Sequence, residues 1–194
     1  VSAYQANFIL KGGFLISAIV GLETRATMDL DTTVKGMDLN HDQIRKVFQD
    51  ICAIQMADDI VFEIAKTEDI READDYPGIR VRLKANYPPL SVPLSVDITK
   101  GDQITPREIC YPFRLIFDDR TIDILAYNLE TVLAEKIETI LSRSIANTRP
   151  RDFYDVYILY MLRKGEIVLA ELKEALVKTA TKRGSAQNLA NYPA

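Results

Sequence analysis

The chain contains a single histidine, two cysteines and no long apolar run in its 194 residues. Each scarcity removes a class of function. One histidine, His41, argues against histidine-based metal clusters and most histidine-dependent catalytic triads. Beside Asn40 it reads as a helix-start residue. Cys52 and Cys110 are far apart and lack metal-ligand spacing, so neither a disulfide framework nor a zinc site is indicated. No stretch approaches the ~18 apolar residues of a membrane span, and no signal peptide is recognisable. A reducing cytoplasm is the expected compartment, with no membrane partner. Repeats and low-complexity segments are missing as well. The first residue is valine, so the chain is expected to be a processed or partial form.

What remains is the composition of an ordinary globular protein, 47% hydrophobic and 27% charged with a net charge of −4. The charge is unevenly spread. Residues 130–194 hold 10 Lys/Arg against 8 Asp/Glu, whereas residues 1–129 hold 14 against 20. An acidic half followed by a mildly basic one is compatible with a metal site beside a phosphate-binding surface.

Hydrophobic periodicity sets the expected elements. Phe8 to Lys11 predicts a short buried strand running into a Gly12-Gly13 turn, and the apolar run from Phe14 to Leu22 predicts a helix ended by Gly21. Thr27 to Val34 predicts a strand with Met28 and Leu30 on one face and Asp29 and Asp31 on the other. Asn40 or Asp38 caps a helix carrying Ile44, Val47, Phe48 and Ile51 and ending near Met56. Strands are expected at Ile60–Ala65, at Ile79–Ala85 after a turn over Asp74–Gly78, and at Val92–Thr99, where Asp97 lies opposite the apolar residues. A hairpin is expected from Arg114–Phe117 and Thr121–Leu125, joined by Asp118-Asp119-Arg120.

Near Asn128 the pattern changes from strand to helix, dividing the chain into a β-rich region over 1–127 and a helical region over 128–194. On the first of these helices Lys136 falls inside the apolar stripe, three residues after Leu133, which points it inward. Pro150 opens the next helix as a first-turn proline. One face of that helix holds Asp152, Asp155, Val156 and Leu159, another Phe153, Tyr157, Tyr160 and Met161; Arg149 and Arg151 read as solvent-facing. A last helix spans Val168–Thr181, and the polar tail from Lys182 is expected to be loosely ordered.

Two carboxylates at i and i+2 on a strand stand on one side, about 6.5–7 Å apart along the chain. That separation suits a hard divalent cation gripped between Asp29 and Asp31, with substrate phosphates as further ligands. Asp97 is a candidate third carboxylate, giving a site able to activate an attacking oxygen and stabilise a leaving one. Glycines let backbone approach phosphate closely. Lys136 is the candidate cation for charge that develops as pyrophosphate leaves. Each part has a plainer alternative: a Gly-Gly turn, a solvated strand face, a snorkelling lysine, or, for Asp152, an acid in the favourable first turn of a helix. It is the order of glycine turn, helix, two-carboxylate strand and third strand carboxylate that sets the chemical reading apart.

With these residues in place the chain resembles the nucleotidyltransferase superfamily that includes DNA polymerase β. More narrowly it resembles the AbiEii/AbiGii toxin family. The resemblance rests on Leu10-Lys11-Gly12-Gly13, Arg25-Ala26-Thr27-Met28-Asp29-Leu30-Asp31, Leu133-Ala134-Glu135-Lys136-Ile137-Glu138 and Arg149-Pro150-Arg151-Asp152-Phe153-Tyr154-Asp155. It runs from about Phe8 to Leu162. It implies an α+β fold, a nucleotidyltransferase-like mixed sheet flanked by helices, with the helical region over 128–194 packing on it and completing the site. It implies transfer of a nucleoside monophosphate from a nucleoside triphosphate, with Mg²⁺ or Mn²⁺, to an RNA acceptor such as the 3′ end of tRNA. The setting would be a type IV toxin–antitoxin or abortive-infection system, with a cognate antitoxin of winged-helix DNA-binding type acting indirectly. Carried over, Asp29, Asp31 and Asp97 are metal ligands and catalytic residues together with Lys136 and Asp152. Lys11, Gly12, Gly13, Arg25, Thr27 and Lys136 contact the nucleotide. Two departures stand out: Gly13 replaces the serine common in the superfamily, and the chain ends earlier than the family pattern leads one to expect. The alternatives are a small-molecule or protein hydroxyl as acceptor, or an inactive nucleotide-binding interaction module.

Overall fold

The computed structural model describes residues 2–21, 23–25, 27, 29–70, 78–115, 119–144 and 147–190. Met28, Leu22, residues 74–77 of the expected turn, residues 116–118 of the expected hairpin, and the last four residues lie outside that set. The chain divides into two compact units, one of Val1–Phe14 with Ala26–Asp102, the other of Leu15–Arg25 with Gln103–Ala194.

The first unit holds β1 (Phe8–Lys11), β2 (Asp29–Val34), α2 (His41–Cys52), β3 (Val61–Ile70), β4 (Gly78–Tyr87) and β5 (Leu90–Lys100), and the opening turn of α1 (Gly12–Val20). Its strands lie in the order β3-β4-β5-β2-β1. β2 and β5 run parallel, while β1–β2, β3–β4 and β4–β5 are antiparallel. The period of two that marks β4 and β5 in the sequence sends Ile79, Val81, Leu83, Val96 and Ile98 to one face. There they meet Ile44, Val47 and Phe48 of α2, and Phe8 sets its ring edge-on to Phe48 with centroids 6.1 Å apart. Burying each of these large side chains stabilises the fold by roughly 1.5–3 kcal/mol. Asn40, rather than Asp38, caps α2 by accepting from the Gln43 amide at 2.8 Å. The helix stops at Cys52, four residues short of the expected end.

β3 runs five residues beyond its expected end. Pairing with β4 shifts between Ile64 and Lys66, and this bulge breaks the alternation on which a sequence reading depends. The first helix starts at Gly12, so the glycine pair forms its opening turn and not a separate turn before it.

The second unit contains the remainder of α1, the hairpin β6 (Ile109–Arg114) and β7 (Thr121–Ala126), and α3 (Leu129–Arg143), α4 (Pro150–Arg163), α5 (Leu169–Lys182) and α6 (Ala186–Ala190). The expected hairpin is present, but its first strand lies earlier than Arg114–Phe117. Asn128 fixes the start of α3: its Oδ1 accepts from the Thr131 amide at 2.8 Å and its Nδ2 donates to the carbonyls of Thr105 and Arg107. Ala175, Thr179 and Ala180 are the buried residues of α5. The tail is more ordered than its polarity suggests. Gly184 takes φ +66, and Ser185 donates to Glu138 of α3 at 2.6 Å, leading into α6.

No helix among the described residues is long and apolar enough to cross a membrane.

Candidate active site

The sequence-identified residues fall into two groups, one in each unit. In the first unit, β-sheet register aligns them. Lys11 is opposite Asp31, Asp31 opposite Asp97, Asp97 opposite Arg80, and Arg80 opposite Glu68. Directly paired residues share a face, so this is a row of charges across five strands on the side away from the core. Asp29 occupies the parallel row, opposite Ser95. It is exposed, whereas Asp31 is half-buried.

Gly12 shapes the end of that row. It adopts φ +64, and a Cβ built on it would stand 2.2 Å from Oδ2 of Asp31. Only glycine both enters the left-handed region cheaply and leaves the Asp31 carboxylate its place against the first turn of α1. Gly13, the residue singled out from the sequence, is buried and outside the positive-φ set. Its neighbour Gly12 is the one whose backbone conformation and contact with Asp31 demand glycine.

Lys11 and Thr27 are engaged with protein. The Lys11 ammonium, buried, pairs with Asp102 and donates to Thr99 Oγ1 at 2.8 Å. Thr27 Oγ1 accepts from the Asp29 amide at 3.4 Å, at the entry to β2. Asp97 is held by Arg80 through two parallel bonds, Nε to Oδ1 at 2.6 Å and Nη2 to Oδ2 at 2.7 Å. Its hydrogen bond to Asp97, then the fields of Asp97, Glu68 and Asp29, hold the Arg80 guanidinium more firmly protonated than usual against the opposing cost of burial. Arg80 thus feels both Asp97 and Asp29, a role the sequence pattern alone left unmarked.

No group of three or more Asp, Glu, His or Cys side chains among the described residues is gathered closely enough to hold a metal ion. Asp97 is turned onto Arg80, which closes the expected third position in this arrangement. Asp29 and Asp31 offer two carboxylates on one face of β2, the donor type a hard divalent cation takes together with phosphate oxygens and water.

In the second unit, Lys136 of α3 reaches two acids of α4. Its Nζ lies 2.7 Å from Asp152 Oδ1 and 2.9 Å from Asp155 Oδ2. Asp155, fully buried, also accepts from Arg25 Nε at 3.0 Å. Arg25 is likewise buried, with its guanidinium paired to Asp155. Burial disfavours the Lys136 charge, but hydrogen bonds and fields from Asp152 and Asp155 outweigh it, and the pKa lies above that of ordinary lysine. The inward direction read from the stripe is correct.

One atom in this cluster lacks a partner. Oδ2 of Asp152 is buried and accepts no hydrogen bond among the described residues. A buried carboxylate oxygen left unpaired is costly, and a water, an ion or a ligand group would satisfy it. Asp155 was visible in the sequence as sharing the Asp152 face, three residues on. Its double engagement by Arg25 and Lys136 was not visible, since Arg25 is 130 residues away.

Over residues 1–193 the sequence matches the family described as nucleotidyl transferase AbiEii toxin, type IV toxin–antitoxin system. Among solved structures, JHP933 from Helicobacter pylori superposes with a TM-score of 0.54 at 14% identity, over 92% of this chain and 72% of that one. An antigenic nucleotidyltransferase-like protein from Paracoccidioides brasiliensis gives 0.50 at 16% identity, over 95% of this chain and 84% of that one. At these identities the likeness establishes a shared fold. No curated protein sequence matches the chain.

Proposed function

Because the chain belongs to the AbiEii family of nucleotidyl transferase toxins of type IV toxin–antitoxin systems, we propose that it transfers a nucleoside monophosphate from a nucleoside triphosphate to the terminal hydroxyl of an RNA, the 3′ end of tRNA being the preferred candidate. The observation that carries the catalytic part is the Gly12–Asp31 approach. It sets a carboxylate against the amino-terminal turn of a helix, where backbone amides and the helix dipole favour phosphate.

Roles are assigned within each unit. Asp29 and Asp31 hold Mg²⁺ or Mn²⁺, which when bound neutralises phosphate charge and polarises the reacting oxygens. Gly12 and Gly13 give the backbone its approach to the triphosphate. Asp97, oriented by Arg80, directs the acceptor hydroxyl. Lys136 supplies a fixed positive charge for the departing pyrophosphate. Asp152 holds Lys136 with Oδ1 and offers Oδ2 to the acceptor end. Asp155 and Arg25 position Lys136. Lys11 and Thr27 support the β1 and β2 ends beside the nucleotide. In the reaction the acceptor hydroxyl gives up its proton to water, its oxygen bonds to the α-phosphorus, the bond from that phosphorus to the bridging oxygen breaks, and pyrophosphate leaves with the electron pair.

As a toxin of this family the protein has a cognate antitoxin. We assign that role to a winged-helix DNA-binding protein encoded beside it, acting indirectly, with both working in the cytoplasm.

The test is incubation of the protein with α-labelled nucleoside triphosphates, Mg²⁺ and total cellular RNA. Label should enter RNA, with a loss on the order of 10³-fold in Asp31→Ala and complete loss on chelation of the metal. Undiminished transfer by folded Asp31→Ala overturns the mechanism. Label entering only small molecules or protein assigns a different acceptor, and nucleotide binding with no need of metal identifies an inactive binding module.

A further inference from the structure

Helix α4 has two sides of opposite character. Asp152, Asp155 and Leu159 are its buried residues. Phe153, Tyr157 and Tyr160, spaced i, i+4, i+7 along one exposed stripe, are 50%, 59% and 55% exposed. Met161 extends the stripe and is also exposed. An aromatic surface of this kind is unusual on a solvated helix, where large apolar groups are normally turned inward.

Along the helix itself the exposed charges share one sign. From Arg149 to Lys164 the exposed charged side chains are Arg149, Arg151 and Lys164, while both acids of the helix are buried. Arg163, half-buried, is tied to Glu166 at 2.8 Å and to the Ile19 carbonyl at 3.0 Å. Planar faces bordered by cations, with the acids of the helix itself turned inward, match unstacked bases on a phosphate backbone. The same helix carries the unpartnered Oδ2 of Asp152.

We propose that the exposed stripe Phe153–Tyr157–Tyr160 of α4, with Arg149 and Lys164 at its two ends and Arg151 at the start of the helix, is the platform on which a single-stranded RNA end docks by base stacking. The inference rests on the RNA-acceptor reading and adds to it the surface that receives the strand. Tyr154 stands apart from the stripe, with its hydroxyl donating to the Thr24 carbonyl at 2.8 Å.

Fluorescence anisotropy with a labelled single-stranded 12-mer RNA, and with its duplex form, tests this on the full chain. The double variant Tyr157→Leu/Tyr160→Leu keeps an apolar surface but removes the π faces. Single-strand affinity should fall at least tenfold while calorimetric binding of ATP with Mg²⁺ stays at the wild-type value. Arg149→Gln/Arg151→Gln should weaken binding and flatten its salt dependence, an independent readout if the leucine variant does not fold. Unchanged single-strand affinity in the folded leucine variant overturns the platform and leaves the RNA-acceptor reading standing. Loss of a wild-type dimer in Tyr157→Arg, with RNA affinity intact, also overturns it, in favour of a contact between copies. A wild-type protein that binds no RNA and labels only other acceptors overturns both.

Discussion

Gly12 and Asp31 occupy space that a single methyl group would contest: a Cβ on Gly12 would lie 2.2 Å from Oδ2 and 2.8 Å from Cγ of Asp31. The glycine is also fixed in the left-handed region at φ +64. Two separate constraints, one steric and one conformational, therefore meet at one residue. Together they tie the first turn of α1 to a carboxylate of β2.

Gly12→Ala should consequently cost both stability and activity. Left-handed strain for an L-residue is about 1–2 kcal/mol. For a chain of this size that lowers the melting temperature by roughly 2–8 °C. Transfer should fall by more than tenfold, because Asp31 must move aside. Gly21→Ala is the control: φ is +94 there, but nothing among the described residues lies within 4 Å. It should show the melting shift with activity retained. Equal activity loss in both variants would mean that the Asp31 contact is not the cause.

Asp155 is fully buried between Arg25 and Lys136. Replacing it with alanine strips both cations of a partner in a low-dielectric setting. Removing one member of a buried pair costs about 3–5 kcal/mol. Urea denaturation should show a loss of that size, larger than for Asp152→Asn, whose side chain can still accept from Lys136. A midpoint equal to wild type would show that Asp155 contributes nothing to the unit.

Lys136 sets the alkaline limb of stability. Its folded pKa is raised, so its contribution is complete below the ordinary lysine pKa of about 10.4 and disappears as pH rises through the higher folded value. Asp152→Asn removes one of the two carboxylates that raise it. The decline in the urea midpoint, which starts near the ordinary lysine value of about 10.4, should then be smaller and complete at lower pH than in wild type. In Lys136→Met this component should vanish.

Arg80 provides a test of the acidic row. Its charge is felt by Asp29 and it occupies both oxygens of Asp97. Arg80→Gln withdraws a cation from beside the proposed metal pair, which should tighten Mg²⁺ binding roughly threefold to tenfold by calorimetry, the effect of about 1 kcal/mol. Weaker binding would show instead that Arg80 serves the metal by orienting Asp97.

The residues that the sequence placed correctly are those governed by local period. Alternation in β4 and β5 identified the core face, and the helical stripe aimed Lys136 inward and put Asp152 beside Asp155. Backbone geometry imposes these relationships within a few residues, so no distant part of the chain can change them. Where the local pattern broke, the reading broke with it: β3 was cut short at its bulge, and a short helix, α6, was missed in a polar tail.

Partnerships between distant residues were a different matter. Lys11 and Arg25 belong to motifs that suggest nucleotide contacts, yet their charges are committed to Asp102 and Asp155. Asp97 was recognisable as a polar-face acid, but its embrace by Arg80 follows from the antiparallel register of β4 and β5. By itself the sequence determined the strands and helices, the acids on one sheet face and the inward lysine, because these depend on spacing along one segment. The tertiary structure alone decided which charges neutralise one another, that Gly12 must leave room for Asp31, and that one oxygen of Asp152 is left without a partner among the described residues. Those outcomes depend on how segments far apart in the chain come within a few ångströms, where a methyl group or a single hydrogen bond changes the result.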